Sequence, residues 1–106
     1  MRLAIIGTGK MATGLARGWL KASHGVTFGS RDPAGRRDLL IKEVGPEVRV
    51  ETHAVALDSA ECVVLALPYA EVEPFSARYA VLLRGRVVMD ITNPFGTQPD
   101  PRTSGP

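Results

Sequence analysis

Two short stretches of the sequence combine residue types and spacings that could bind a phosphorylated ligand. The first is Gly7-x-Gly9-x-x-Ala12, which directly follows a short apolar run and precedes a helical pattern. In such a turn the first glycine permits a tight bend, the second lets the backbone approach a pyrophosphate, and a small third residue lets the helix pack near the strand. The helix N-terminus then offers free N–H groups to the phosphates. The pattern predicts dinucleotide binding, and the alternative is a glycine turn that serves only the chain topology.

The second stretch is Ser30-Arg31, a little over twenty residues after the glycine turn. An acidic residue at this point of a dinucleotide-binding fold would accept hydrogen bonds from the ribose 2′-OH of NAD, whereas an Arg accommodates the 2′-phosphate of NADP. Ser30 can donate its hydroxyl, Arg31 can make a planar charged contact, and Arg36 or Arg37 could add charge one turn later. The pair predicts NADP, and the alternative is that Arg31 is a solvated surface residue. Asp32 is expected to cap the next helix.

The elements that position these residues follow from the hydrophobic pattern. Strands are predicted at 3–6, 26–28, 48–51, 62–67 and 86–91, and helices at 10–22, 33–44, 54–57 and 70–83. Strands that alternate with helices of this length require a parallel sheet with right-handed crossovers. We therefore predict an α/β fold, a Rossmann-type parallel five-stranded sheet of order 3-2-1-4-5 with helices on both faces. Residues 1–95 form one domain, and the Pro- and Gly-rich residues 96–106 are predicted to be a disordered tail.

Two expectations concern the first helix. Met11, Leu15 and Trp19 recur at helical spacing, and Trp19 is expected to lie in the core. Gly14 and Gly18 are costly inside a helix. Close packing of this helix against the sheet is the predicted reason for both glycines.

Composition excludes several classes of function. The 13 basic residues among 106 are scattered and the net charge is only +2, so no nucleic-acid partner is expected. No apolar run reaches the roughly 20 residues of a membrane helix, and a single cysteine fits a reducing compartment. These observations predict a cytoplasmic protein without a membrane partner.

Few side chains outside the two stretches suggest chemistry. His24, His53 and Cys62 have no metal-ligand spacing, and no paired carboxylates or nucleophile triad is present, so neither a metal nor a catalytic side chain is predicted. Cys62 is expected to pack in the core. His53 could face a cofactor cleft, but a position in a surface turn is the favoured interpretation. For Tyr69, a contact with the ligand and the absence of such a contact are equally well supported.

Three segments together carry a resemblance to a known family. "IIGTGKMATGLARGWLKASHGVTFGSRDP", "VVLALPYAEVEP" and "VVMDITNPF" resemble the NADP-binding domain of the coenzyme F420-dependent NADP oxidoreductases, a wider family that includes the pyrroline-5-carboxylate reductases. The resemblance covers residues 1–96. It implies that hydride passes directly between NADP and coenzyme F420, with the cofactors carrying the chemistry and the protein orienting them.

The resemblance also implies roles for individual residues. Thr8, Gly9, Lys10 and Met11 would line the pyrophosphate, next to the turn at Gly7. Ser30 and Arg31 would hold the 2′-phosphate. Leu67, Pro68, Asn93 and Pro94 would flank the nicotinamide, at the ends of the fourth and fifth strands.

The sequence also departs from the family pattern. Family members continue for about as long again with a mostly helical part, whereas this chain stops after the fifth predicted strand. Three alternatives follow: a non-catalytic NADP-binding module, a truncated reductase, or a pyrroline-5-carboxylate reductase-like domain. A homodimer or a partner chain is expected to complete the site.

Overall fold

Short apolar segments of the chain form a parallel sheet, and the amphipathic segments between them form helices. The computed structural model describes residues 1–7 and 9–91. In chain order the elements are β1 Arg2–Ile6, α1 Lys10–Lys21, β2 Gly25–Gly29, α2 Pro33–Val44, β3 Arg49–Glu51, α3 His53–Asp58, β4 Cys62–Leu65, α4 Tyr69–Arg78, α5 Ala80–Leu83 and β5 Val87–Asp90.

The five strands are all parallel and lie in the order β3-β2-β1-β4-β5, as predicted. Strand β1 is central and pairs with β2 on one side and with β4 on the other, so that Ile5 lies opposite Phe28 and Val64. The reversal of strand order between β1 and β4 is the place where ligands bind in open α/β sheets.

The core consists of one hydrophobic cluster on each face of this sheet. Ile5, Phe28 and Val64 point to the face covered by α1 and α2, and each is completely buried. Ile6 and Val63 point to the opposite face, which α3, α4 and α5 cover. Because burying each of these side chains is worth about 1.5–3 kcal/mol, the three central strands form a rigid base for the loops at their carboxyl ends.

Helix α1 packs through small residues rather than through its large ones. Ala12 and Ala16 are buried, whereas Met11 is 60% exposed and Trp19 is only partly buried against the core cluster. Trp19, which was expected in the core, packs against the core cluster without being fully buried, because the buried face of α1 consists of smaller side chains.

The reason predicted for the two helix glycines was wrong. A Cβ on Gly18 would meet nothing within 4 Å, and one on Gly14 would meet only the end of the Arg17 side chain, at 3.8 Å. Neither glycine faces the sheet, so neither is needed for the packing of α1.

The segment predicted as one helix over 70–83 forms two. Helix α4 ends at Arg78, and Tyr79 leaves the helical conformation with φ −109° and ψ 23° before α5 begins. Hydrogen bonding continues across the break, since the Tyr79 N–H donates to Phe75 O and the Leu83 N–H donates to Tyr79 O. The Tyr79 ring packs against Phe75 one turn earlier, with centroids 4.7 Å apart.

Strand β5 differs from the other four because all of its residues are exposed. Val87 is 66% exposed, whereas Val63 and Val64 on the neighbouring β4 are completely buried. The boundary predicted at residue 95 and the predicted tail over 96–106 lie outside the described residues.

Candidate functional site

The carboxyl ends of β1, β2 and β4 open into a cleft of about 660 Å³. One wall, which we call the strand wall, consists of the glycine turn after β1 and the loop after β2. The other, the helix wall, is the face of α4 turned toward that loop. The lining residues are Gly7, Gly29, Ser30, Arg31, Asp32, Arg36, His53, Leu67, Glu71, Pro74, Phe75, Arg78 and Tyr79.

The glycine turn has the backbone shape that its motif predicts. Gly7 has φ +113°, which side-chain-bearing residues rarely adopt, and a Cβ there would overlap the carbonyl oxygen of Ala66. The chain can therefore turn from β1 toward α1 beside the end of β4 only with glycine at this position.

The N-terminus of α1 differs from those of the next two helices. Asp32 and Thr52 cap α2 and α3, where their side chains accept the N–H groups of Gly35 and Val55. The cap expected of Asp32 is thus confirmed. At α1 the N-cap is Gly9, no side chain in the described part of the chain caps it, and a Cβ there would meet nothing within 4 Å. The N-terminus of α1 is the positive end of its helix dipole, so a bound anion would be favoured there.

A hydroxyl and a guanidinium lie at the end of β2. The Ser30 N–H donates to Glu51 O at 2.9 Å, and the Ser30 hydroxyl oxygen accepts the Asp32 N–H at 3.0 Å. With that oxygen accepting, the hydroxyl hydrogen is available to a ligand. The Arg31 side chain is 88% exposed at the mouth of the cleft.

The sequence left open whether Arg36 or Arg37 adds positive charge near Arg31, and the structure distinguishes the two. Arg36 lines the cleft. Arg37 instead donates through Nη2 to Val50 O at 3.0 Å and so ties α2 to β3.

The helix wall carries charge and aromatic rings but no buried residue. Glu71 and Arg78 lie on the same face of α4 with Phe75 between them. Glu71 reaches across the mouth of the cleft, so that its Oε1 lies 3.9 Å from Arg31 Nη2. The Arg78 guanidinium lies 5.7 Å from the centroid of the Tyr79 ring, within the range of a cation–π contact.

His53 forms the floor between the two walls. Its ring meets Phe75 and Tyr79 edge-on, with centroids 5.2 and 5.8 Å away, and a Cβ on Gly29 would lie 3.0 Å from its Cδ2. Partial burial, and then the positive charges of Arg31 and Arg78, lower the pKa of His53 below its usual 6.5. Protonation of the imidazole is thus disfavoured by its partial burial and by the two neighbouring guanidinium groups.

The sequence-predicted site residues fall into three groups. Gly7, Ser30, Arg31, Arg36 and Leu67 line the cleft. Gly9, Lys10 and Met11 lie at the start of α1, and Pro68 is the exposed N-cap of α4, all outside the lining. Thr8, Asn93 and Pro94 lie outside the described residues.

Sequence reasoning missed the helix wall. Phe75 and Tyr79 were placed only within the helix predicted over 70–83, and Glu71 and Arg78 were given no role. A signal was present, since 71, 75 and 78 follow helical spacing and combine charge with an aromatic ring. His53, for which a surface turn was favoured, faces the cleft instead. Tyr69 is 66% exposed and outside the cleft lining.

Other chemistry finds little support in the described part of the chain. Residues 1–7 and 9–91 contain no group of three or more His, Cys, Asp or Glu side chains that could hold a metal ion. None of the helices within these ranges is long and apolar enough to cross a membrane. Cys62 is buried, as expected, and burial raises the pKa of its thiol.

Comparison with known families agrees with this geometry. The sequence model of the family described as NADP oxidoreductase, coenzyme F420-dependent, matches residues 2–94. The chain belongs to this family. It has the Rossmann fold of that family's nucleotide-binding domain, and the resemblance seen in the sequence is confirmed.

Solved structures of three reductases and dehydrogenases show the same fold. A candidate F420-dependent NADP reductase from Arthrobacter sp. FB24 is 30% identical to this chain and superposes with a TM-score of 0.76. The matched region covers 91% of this chain and 47% of the Arthrobacter chain. An imine reductase from Streptomyces aurantiacus is 26% identical with a TM-score of 0.69, covering 87% of this chain and 32% of its own. A semialdehyde dehydrogenase NAD-binding protein from Cupriavidus necator, in complex with calcium and NAD, is 31% identical with a TM-score of 0.66, covering 84% and 32%.

This chain therefore spans about half the length of the Arthrobacter protein and about a third of the other two. No curated protein matches the sequence.

Proposed function

We propose that the cleft binds NADP(H), with the pyrophosphate at the N-terminus of α1 and the 2′-phosphate at Ser30 and Arg31. The observation that carries this proposal is the position of a hydroxyl and an exposed guanidinium at the end of β2, in the cleft that the Gly7 turn also lines. A carboxylate at this position would favour NAD instead.

The residues present fit a bound dinucleotide at both phosphate sites. At the pyrophosphate end, the N-terminus of α1 has no side-chain cap, and the lack of a Cβ at Gly9 leaves its backbone open to a ligand. At the ribose end, Ser30 has a hydroxyl hydrogen to donate, and Arg31 and Arg36 supply positive charge. Asp32 also lines the cleft, and one of its carboxylate oxygens is engaged as the cap of α2, where it accepts the Gly35 N–H at 3.2 Å.

The nicotinamide end is proposed to lie near Leu67 and Pro68, where β4 ends and α4 begins. NADPH, when bound, supplies the hydride. The chain's own residues bind and orient the cofactor, since no described side chain in the cleft forms a nucleophile or metal site. Asn93 and Pro94 remain predicted parts of this end.

We further propose that the reaction served by this domain is hydride exchange between NADP and coenzyme F420. The matched family and the Arthrobacter relative both carry F420 in their descriptions. The chain spans about half the length of the Arthrobacter relative, and hydride transfer requires two rings held in near-contact geometry. The 106-residue chain alone is therefore proposed to act as an NADP-binding module.

Mixing the chain with NADPH and F420 and following the deazaflavin absorbance tests this proposal. Binding of NADPH should be detectable by titration, whereas reduction of F420 should be very slow. A turnover on the order of 10 s⁻¹, ordinary for an enzyme, would contradict the module and support a complete reductase. Turnover with an imine such as pyrroline-5-carboxylate would instead favour the pyrroline-5-carboxylate reductase-like alternative.

Two further expectations remain proposals. A cytoplasmic location is consistent with the single, buried cysteine. A homodimer or a partner chain is suggested by β5, where Val87, Val88 and Met89 are 66%, 42% and 43% exposed. Light scattering at high concentration would decide the second, and a monomer would count against it.

A further inference from the structure

Arg31, the residue proposed to bind the 2′-phosphate, already has an anionic neighbour within the protein. Glu71 Oε1 lies 3.9 Å from Arg31 Nη2. The two residues belong to opposite walls of the cleft, one in the loop after β2 and the other in the first turn of α4, and both line it. Their ion pair thus spans the mouth through which a ligand enters.

We propose that Glu71 is an internal competitor for Arg31, a carboxylate that pairs with the guanidinium until a 2′-phosphate displaces it. Glu71 would then be a specificity-determining residue that lowers the affinity for NADP(H) and leaves the affinity for NAD(H) unchanged. This inference rests on the proposed function of the cleft as an NADP(H) site.

The geometry of the pair supports exchange rather than a permanent structural contact. Its side chains are 88% and 50% exposed, and the separation of 3.9 Å is long for a charge-assisted hydrogen bond. Exposed ion pairs of this kind are weak and are screened by salt. A phosphate that accepts from both Ser30 and Arg31 offers shorter, charge-assisted contacts and should replace the carboxylate at little cost.

The position of Glu71 within α4 favours its carboxylate independently of its pairing with Arg31. Glu71 lies in the first turn of α4, where the helix dipole favours a negative charge. When a phosphate binds to Arg31, the carboxylate of Glu71 therefore remains close to a second anion. Loss of the pairing and the new repulsion act in the same direction, so removing the charge of Glu71 should tighten NADP(H) binding.

The balance of charge in the cleft explains why an acid can be accommodated there. Arg31, Arg36 and Arg78 all line the cleft, and their mutual repulsion is reduced by a carboxylate between the two walls. Asp32 lines the cleft as well, so three guanidinium groups face two carboxylates and the lining keeps a net positive charge.

Helix α4 provides a matched control for the test. Glu73 is exposed, lies two residues further along the same helix and does not line the cleft. The variants Glu71→Gln and Glu73→Gln therefore remove the same charge from the same helix, at one position inside the cleft and at one outside it.

Calorimetric titration of the full chain at low salt, with NADPH and with NADH, measures the effect. Glu71→Gln should tighten NADPH binding by about two- to fivefold, and Glu71→Ala should do the same. Both variants should leave NADH binding unchanged, and Glu73→Gln should leave the binding of both nucleotides unchanged. Unchanged or weaker NADPH binding in both Glu71 variants would overturn the proposal.

Two outcomes distinguish a failure of the competitor role of Glu71 from a failure of the proposed NADP(H) site. A wild type that prefers NADPH, with Glu71 variants that bind it no more tightly, would overturn the competitor role alone. A wild type that binds NADPH and NADH equally would overturn the 2′-phosphate site and, with it, this inference.

The variant Arg31→Ala distinguishes competition from simple repulsion of the phosphate. In the Arg31→Ala background, Glu71→Gln should tighten NADPH binding much less than it does in the wild type, because the guanidinium for which Glu71 and the 2′-phosphate compete is absent. An undiminished gain would show that Glu71 acts by repulsion through space, and the competitor role would be rejected.

Discussion

The two walls of the cleft achieve their shapes in different ways. The strand wall relies on the backbone: a glycine at φ +113°, an uncapped helix N-terminus and a loop that follows a buried strand. The helix wall relies on exposed side chains of a helix that buries no residue. Backbone-built sites need particular residue types at fixed positions, so the sequence reveals them, whereas a side-chain wall tolerates many sequences. The comparison predicts that substitutions in the strand wall affect folding and binding strongly, and that those in the helix wall adjust affinity.

The largest effect on stability is expected from Gly7→Ala. The new Cβ would overlap the carbonyl oxygen of Ala66 in a backbone region that alanine avoids. Strain of this kind together with overpacking should cost about 2–5 kcal/mol of the free energy of unfolding. Urea denaturation followed by circular dichroism measures it.

Gly18→Ala is the matched control, because it adds the same methyl group in open space within α1. It should raise the free energy of unfolding by up to about 1 kcal/mol, as alanine is the better helix former. Equal stability of the two variants would mean that the strand wall is not fixed by its backbone.

A smaller effect is expected in the helix wall from Arg78→Ala. Arg78 adds positive charge to the cleft but is exposed, so its contribution is screened by solvent. NADPH binding should weaken by about two- to fivefold, on the scale of exposed charge pairs. Arg84→Ala removes an exposed charge outside the cleft and should change nothing in the same titration. A loss for Arg78→Ala as large as that for Arg31→Ala would contradict the division between the walls.

The smallest effect is a dependence of stability on pH through His53, which joins the walls. Burial, Arg31 and Arg78 lower its pKa in the folded protein below the 6.5 of the unfolded chain. Between these two pKa values the unfolded chain binds more protons, so stability rises with pH there and is lost as the pH falls below about 6.5. His53→Phe keeps an aromatic ring but cannot be protonated, and it should lose less stability than the wild type between pH 7.5 and 5.5 in urea denaturation.

The wild type, measured in the same buffers, is the reference for that comparison. If His53→Phe lost as much stability on acidification as the wild type, the imidazole would not sense the charges of the cleft.

The same contrast explains what could be predicted from the sequence. Strand order and most element boundaries followed from apolar runs and glycine turns, since a buried parallel strand such as Cys62–Leu65 is unmistakable. Local sequence patterns do not encode how the helices pack against the sheet. Three features depend on that packing: the break at Tyr79, the exposure of Met11 and the open space at Gly18. The Arg31–Glu71 pair joins distant parts of the chain, so only the folded structure could show it.

The central claim is that Ser30 and Arg31 select the 2′-phosphate, and one measurement tests it most directly. Wild type and Arg31→Ala are each titrated calorimetrically with NADPH and NADH. The wild type should prefer NADPH, and the variant should bind NADPH about ten- to a hundredfold more weakly, because a hydrogen bond to a charged group contributes roughly 1.5–3 kcal/mol. NADH binding should remain nearly unchanged, and added salt should weaken NADPH binding more than NADH binding. Equal affinities of the wild type for the two nucleotides would contradict the account.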